Sequence, residues 1–216
     1  MRRGLTNHNR GPLQRLEAAQ NIMMRSHPNQ GREKKFGAQI VFLKGVNVGG
    51  YRSFRPRLLA TQLANYEVTS IGAAGTFVVF KPAREGTLRA EFLRRLPFDA
   101  EIMICSASQI INLTNDHPFD EEPSSPHIVR FVSVLPKRPS LLPQLPLSLP
   151  VNKDWLVKIL EIRDRFVFGL YRRTMRTITL LNQVEKHLGQ IATTRNWNTM
   201  KMIVELLKRH QASSTR

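Results

Sequence analysis

The sequence predicts an α+β fold of two ferredoxin-like subdomains, each with the element order βαββαβ, plus a C-terminal helix and a preceding disordered basic tail. In the first half, short apolar runs alternate with segments of helical apolar spacing in that order. The second half repeats the order approximately, without visible sequence repetition. We therefore expect the tail over residues 1–36, the first subdomain over 37–126, and the second subdomain with the C-terminal helix over 127–216.

The tail is predicted from its composition. Residues 1–36 hold 8 Lys and Arg against 2 acids and show no apolar periodicity, which is typical of a disordered segment. Low acidity and scattered arginines also fit an organelle transit peptide. A translation start placed too early is the other alternative, with Met23 or Met24 as the true start.

Apolar runs and apolar spacing define the elements of the first half. Runs of apolar or β-branched residues predict strands, and leucines and phenylalanines at helical intervals predict helices. The predicted order is a strand over 39–43, a helix over 54–63, strands over 67–71 and 77–80 about a glycine-containing turn at 72–75, a helix over 88–96, a strand over 100–105 and a helix over 106–115. An acidic loop over 116–126 follows.

The second half has the same elements with one helix degraded. β-Branched residues predict a strand over 128–135, and the prolines between 136 and 150 forbid a long helix, so that connection is extended or holds one short helix. A hairpin over 155–171 turns at Arg163–Asp164. A helix then ends at Gly189, a natural C-cap, before a short strand over 190–193 and the terminal helix.

Positive charge is concentrated at the two ends of the chain. The formal net charge is +17, to which residues 1–36 contribute +6, residues 37–150 +3 (12 basic against 9 acidic) and residues 151–216 +8 (13 against 5). A basic surface attracts polyanions by releasing their counterions, so RNA or an anionic small molecule is the expected partner. Charge that only keeps the protein soluble is the alternative.

The residue inventory excludes several classes of protein. Cys105 is the single cysteine, so no internal disulfide or multi-cysteine metal site forms, and its apolar surroundings favour a buried thiol. The 6 histidines lack metal-ligand spacing, and no serine lies in a Gly-x-Ser-x-Gly elbow. No metal, cofactor or catalytic residue is therefore predicted. No apolar run is long enough to span a membrane and no secretory leader is present, so we expect a cytoplasmic protein without a membrane partner.

The motif Thr193–Thr199 runs directly into the apolar stripe of the terminal helix. Thr194 or Asn196 is predicted to cap that helix, because a side-chain oxygen there accepts from a free N–H of the first turn. A capped helix start attracts anions, and Arg195 and Asn198 would add a planar cation and an amide to it. The alternative is a purely structural helix entry with Trp197 as a core anchor.

A glycine-rich turn follows the first strand. Asn47, Gly49 and Gly50 lie between that strand and the first helix, where glycines allow backbone N–H groups to approach a ligand closely. Lys44 and Arg52 flank the turn and are predicted to take part in ligand binding. The turn has neither the P-loop ending nor dinucleotide-binding spacing, and a tight strand-to-helix turn is the alternative.

Basic residues also follow the hairpin of the second half, and we predict that Lys158, Arg172, Arg173 and Arg176 bind nucleic acid. Aromatic residues nearby could stack bases as the sheet surfaces of RNA-recognition modules do; they are Trp155, Phe166, Phe168 and Tyr171. Core packing explains those aromatics equally well, and solvated charge explains the cations. The RNA-recognition consensus is absent.

Three stretches together resemble the domain-of-unknown-function family 1697, over about residues 38–208: Val41–Gly50, Gly75–Val79 and Thr193–Thr199. The closing motif matches fully. The opening motif has Lys44 where arginine is usual, and Ala74-Gly75-Thr76 stands where Ser-Gly-Asn is common. The resemblance implies an α+β fold of two ferredoxin-like subdomains and implies no known activity. Gly75 and Thr76 complete the set of predicted ligand-binding residues.

Three functions of different classes remain open from the sequence. The favoured one is binding of a polyanion, RNA or a nucleotide, through the glycine-rich turn and the motif at 193–199. The second is a small-molecule enzyme acting on a phosphate- or carboxylate-bearing substrate, and the third is a structural or oligomerisation module. The first two require Gly49 and Gly50 to line one anion-sized hollow together with Arg195. The sequence does not predict the oligomeric state.

Overall fold

The computed structural model describes residues 37–214, except 48–49, 51, 117, 123–124, 152–153 and 175. The predicted tail therefore lies outside the described residues. The described part is a mixed α+β fold with two antiparallel sheets and five helices. Within that part, no helix is both long and apolar enough to cross a membrane.

The first sheet has four strands in the order β2-β3-β1-β4, and all neighbours are antiparallel. Its strands are β1 (Gln39–Leu43), β2 (Val68–Ile71), β3 (Thr76–Val79) and β4 (Ile102–Ser106), with helices α1 (Pro56–Gln62) and α2 (Glu85–Arg95) between them. The central strands β1 and β3 are buried almost throughout, which explains their continuous apolar sequences. Helix α3 (Ala107–Asn115) follows β4, and Ser106 and Gln109 form a capping box at its start.

The second sheet has five strands in the order β6-β7-β8-β5-β9, again antiparallel throughout. Its strands are β5 (Ile128–Val134), β6 (Leu147–Leu149), β7 (Val157–Arg163), β8 (Phe166–Arg172) and β9 (Thr193–Asn196). Helix α4 (Thr177–Leu188) precedes β9 and ends at Gly189, which adopts the left-handed conformation expected of a C-cap (φ 63°). Helix α5 (Trp197–Ser214) closes the described chain.

Two predicted boundaries of the second half are wrong. The strand expected over 190–193 is β9, Thr193–Asn196, so most of the motif at 193–199 is strand and the helix begins only at Trp197. The reason is pairing with β5, which places Thr194 opposite Ser133 and Arg195 opposite Val132. Between β5 and β7, the described residues contain the short strand β6 and no helix, in agreement with the expected extended connection.

The core contains residues of both halves. One cluster lies between the first sheet and α1 and α2, and a second lies between the second sheet and α4. A third, which we call the shared core, joins Phe42 of β1 and Phe168 of β8 to Met200 of α5. Helix α5 therefore packs on residues of both sheets. The predicted division of the chain at residue 126 stays a prediction.

Candidate functional site

Arg195 lies in the interior, in strand β9, with only 6% of its surface exposed. Its guanidinium donates from Nε to Thr76 Oγ1 (2.7 Å) and from Nη1 to Thr193 Oγ1 and Thr194 O (2.8 Å each). The other nitrogen, Nη2, donates to three carbonyls, those of Leu43 (2.8 Å), Ala74 (2.6 Å) and Gly75 (3.2 Å). All three guanidinium nitrogens are thus engaged by uncharged oxygens of the chain itself.

These contacts connect the two sheets. Four of the six acceptors belong to the first half, at the end of β1 and around the turn before β3, whereas Arg195 itself lies in the second sheet. Thr193 Oγ1 adds a further bond to Leu43 O (3.2 Å). We call this arrangement the Arg195 clamp. The Phe42 ring, whose centroid lies 5.6 Å from Arg195 Cζ, adds a cation–π contact.

Burial changes the electrostatics of this guanidinium. Desolvation lowers the pKa of Arg195 to about 10, because water no longer solvates the charged form. The group still carries its proton at neutral pH. Hydrogen bonds from a charged donor are stronger than neutral ones, so the six acceptor contacts offset part of the desolvation cost.

The turn between β2 and β3 is shaped to receive the guanidinium. Gly75 has a φ of 69°, and a Cβ atom on it would lie 2.6 Å from Val46 Cγ2 and 2.9 Å from Leu43 Cβ. A side chain at this position would therefore meet both an unfavourable backbone conformation and a clash. Glycine allows the Ala74 and Gly75 carbonyls to approach Arg195.

The glycine-rich turn after β1 also makes internal bonds. Asn47 has a φ of 55°, donates from Nδ2 to Ala73 O (2.7 Å) and accepts at Oδ1 from Phe54 N (2.9 Å). Gly50 has a φ of 78°, and Arg52 has a φ of 48° and accepts at its carbonyl from Asn47 N (3.3 Å). Gly49 lies outside the described residues. The backbone geometry fits a tight strand-to-helix turn.

Lys44, at the end of β1, is paired with an acid of the second half. Its Nζ lies 2.6 Å from Glu185 Oε2 of α4, and both side chains are mostly buried. Asn47 and Arg195 thus both bond the turn between β2 and β3, and Arg195 also bonds Thr76 directly after it, so their polar groups bind the chain itself. Their role in ligand binding stays a prediction.

A basic cleft opens elsewhere, between strand β5 and the start of helix α5. Its volume is about 280 Å³. Its lining includes three cationic side chains, Arg130, Arg173 and Lys201, together with the amides of Asn196 and Asn198. None of the nine described residues that line it carries a carboxylate. Arg130 is held in place by a bond from Nη2 to Glu122 O (2.6 Å).

The start of α5 forms one wall of the basic cleft. Asn196 caps this helix, because its Oδ1 accepts from Thr199 N (2.8 Å) and Thr199 Oγ1 (3.1 Å). Thr194, the other predicted cap, instead shares a hydrogen bond with Ser133 Oγ (2.7 Å) within the sheet. Asn198 and Lys201 are exposed on the first turn and the beginning of the second.

The basic residues of the hairpin are distributed differently. Arg173 lines the basic cleft, whereas Arg172 at the end of β8 places its Cζ 4.8 Å from the centroid of the Trp155 ring. Arg176 is exposed at the start of α4, and Lys158 lies within β7 opposite Leu170. Among the aromatic candidates for base stacking, Phe166 and Phe168 are buried in the shared core. Tyr171 packs in the cluster beneath α4, and Trp155 is half-buried against the shared core.

Sequence reasoning missed two residues of the basic cleft. Arg130 stands in a predicted strand whose apolar neighbours dominated the pattern, although a charged residue inside such a run is itself a signal of an exposed or functional position. Lys201 lies four residues after Trp197 on α5, one turn further along the helix. Within the described residues, no group of three or more His, Cys, Asp or Glu could hold a metal ion.

Comparisons with known proteins bear on the fold and the family. The family described as protein of unknown function (DUF1697) matches residues 37–144, half of the 216-residue chain, so the motif at 193–199 lies outside the matched segment. Among solved structures, the chain is similar to a conserved bacterial protein from Streptococcus pneumoniae, with a TM-score of 0.52 and 13% identity over 79% of this chain and 98% of that chain. At that identity the likeness concerns the fold alone. No curated protein matches the chain.

Proposed function

This chain belongs to the DUF1697 family of proteins of unknown function, and we propose that it binds a polyanion, RNA or a nucleotide, through the basic cleft between β5 and α5. The observation that carries the proposal is the composition of the cleft. Three cations and two amides line it, without a carboxylate among its described residues.

The chemistry of the cleft suits phosphate groups. Arginine presents paired N–H donors to phosphate oxygens, lysine adds a compact charge, and amides donate without charge. The start of an 18-residue helix forms one wall, and its dipole favours negative charge. A volume of about 280 Å³ accommodates a phosphate with its sugar but not a folded domain. The formal charge of +17 attracts polyanions to the protein without selecting a position, and in this proposal the cleft is the specific binding site.

We also propose that the two halves are ferredoxin-like subdomains. The order β2-β3-β1-β4, with α1 and α2 between strands, is the order that a split βαβ arrangement produces. The strands β7-β8-β5-β9 follow the same order, with β6 in place of the first helix. The shared strand order of the two sheets supports the division into two subdomains.

A second proposal concerns the motif at 193–199. We propose that Arg195 and Thr193 serve to hold the two sheets together, which is the structural role that the sequence left open. The support is the set of partners to which Arg195 donates, namely Thr76 and carbonyls of the first half. Arg195 is also buried, so a ligand that bound its guanidinium would first have to displace these hydrogen bonds.

The test of polyanion binding uses the full chain and fluorescence anisotropy with a labelled 12-nucleotide single-stranded RNA. The variant replaces Arg130, Arg173 and Lys201 by glutamine. We expect the magnitude of the negative slope of log K against log salt to decrease by roughly 2, because each of three lost phosphate contacts to a single strand contributes about 0.7. The matched control replaces three exposed cations elsewhere, Arg57, Arg138 and Lys208, with the same loss of charge.

The control separates a defined site from diffuse attraction. Equal reduction by both triple variants would show that charge alone drives association and would reject the cleft. Circular dichroism and the melting temperature of each variant establish that folding is intact, since Arg130 also bonds Glu122 O.

A further inference from the structure

Arg172 and Trp155 form a cation–π pair outside the residues that line the basic cleft. Arg172 is the last residue of β8 and is exposed, and its Cζ lies 4.8 Å from the centroid of the Trp155 ring. Trp155 stands just before β7 and packs against the shared core. The indole thus holds the guanidinium over its face, while Arg172 remains accessible to solvent.

This pair lies beside the basic cleft on the same face of the sheet. Arg172 pairs in register with Ile128 of β5, and Ile128 lines the cleft. Residues at even positions of β8, Phe168 and Leu170 among them, contribute to the shared core beneath α5, so alternation places Arg172 on that face. The distance from the cleft wall to the indole is about two strand spacings, roughly 10 Å, which a short oligonucleotide spans.

The two neighbouring surfaces offer complementary chemistry. A guanidinium plane and an aromatic ring are the groups on which an unstacked nucleobase stacks, whereas the cleft offers cations for phosphate. The exposed carboxylate of Asp154, next to Trp155 in sequence, disfavours a phosphate at that end. The arrangement therefore assigns the phosphate to the cleft and the base to Arg172.

We propose that the basic cleft and the Arg172–Trp155 pair form one binding surface for single-stranded RNA, with a phosphate in the cleft and an adjacent base stacked on Arg172. This inference rests on the proposed function and narrows it from polyanions in general to strands with unpaired bases. A duplex keeps its bases inside the helix and offers none to Arg172.

The experiment measures anisotropy of the full chain with a labelled 12-nucleotide single-stranded RNA, with a duplex of equal length, and with inorganic polyphosphate as competitor. The variants are Arg172→Lys, which keeps the charge and removes the planar group, and Trp155→Leu. We expect each variant to raise the Kd for single-stranded RNA about tenfold, which is within the range for loss of one stacked base. The affinity for polyphosphate, obtained from the competition measurement, should stay within about twofold of wild type, because polyphosphate has no base to stack. Arg138→Lys, at an exposed site between β5 and β6, is the matched control.

The outcomes distinguish the two proposals. Unchanged single-strand affinity in Arg172→Lys and Trp155→Leu, or a duplex bound as tightly as the single strand, overturns the stacking inference while the glutamine triple variant still tests the cleft. Equal weakening toward RNA and polyphosphate also overturns it, because only general electrostatics would then be affected. Failure of wild type to bind any of the three probes rejects the proposed function and this inference together.

Discussion

Replacing Arg195 by alanine distinguishes a structural clamp from a ligand-binding arginine. In the structure the guanidinium makes six hydrogen bonds, and four of them reach Leu43, Ala74, Gly75 and Thr76 of the first half. Alanine removes all six and leaves a cavity beside Phe42, because the side chain it replaces is almost completely buried. A clamp predicts a large loss of stability. A ligand-binding arginine predicts loss of binding with little change in stability.

The magnitude of the loss can be estimated from the acceptors. Leu43 O keeps a bond from Thr193 Oγ1 and Gly75 O keeps one from Leu43 N, whereas the buried Thr76 hydroxyl loses the guanidinium. An orphaned buried polar group costs about 1–3 kcal/mol. Truncation of a large buried side chain costs about 2–5 kcal/mol. Removing a desolvated cation offsets part of both, so we expect a net loss of about 4 kcal/mol.

Differential scanning calorimetry of the full chain measures this effect. For a domain of this size, about 4 kcal/mol lowers Tm by roughly 8–16 °C. Arg94→Ala is the matched control: this arginine lies on α2, 65% of its side chain is exposed, and its ion pair with Glu91 is screened by solvent, so its loss should leave Tm almost unchanged. If Arg195→Ala melts within about 2 °C of wild type, the clamp is refuted. The Tm of Arg195→Lys should lie between the Tm of wild type and that of Arg195→Ala, because one ammonium cannot reach six acceptors.

Two further predictions concern buried positions. Gly75→Ala should destabilise the fold by about 2 kcal/mol more than Gly72→Ala in urea titrations, because both glycines have positive φ but only a Cβ at residue 75 meets Val46 and Leu43; equal losses would contradict the close approach. Cys105 should resist iodoacetamide at pH 8 in the native protein and react fully in guanidinium chloride, because burial raises the pKa of its thiol to about 12 from an ordinary 9.0. Because the thiol ionises more readily in the unfolded chain, the contribution of Cys105 to the free energy of unfolding is fully present below pH 9 and decreases as the pH rises from 9 to 12. Rapid labelling of the native protein would contradict the prediction, because it would show that the thiol is accessible.

Local patterns predict most of the elements because burial is imposed residue by residue. The apolar run at 39–43 is β1 with the same bounds, and the β-branched run at 128–135 is β5 within one residue. The error at β9 has a specific cause. The pattern ends the strand at Thr193 and places Thr194 and Arg195 at the entry to the helix, but β-branched residues also pair well in a sheet, and residues 193–196 pair with the edge of β5 that β8 does not occupy.

The sequence by itself determined the alternation of strands and helices, the basic character and the family resemblance, because these depend on composition and on spacing along the chain. Only the tertiary structure decided what Arg195 does. Its acceptors in the first half are 119 to 152 positions away in sequence, and an isolated motif cannot reveal whether its cation faces solvent or a ring of carbonyls. The same holds for the basic cleft, where Arg130, Arg173 and Lys201 come from three different elements or their ends and meet only when β5 pairs with β8 and α5 packs across the sheet.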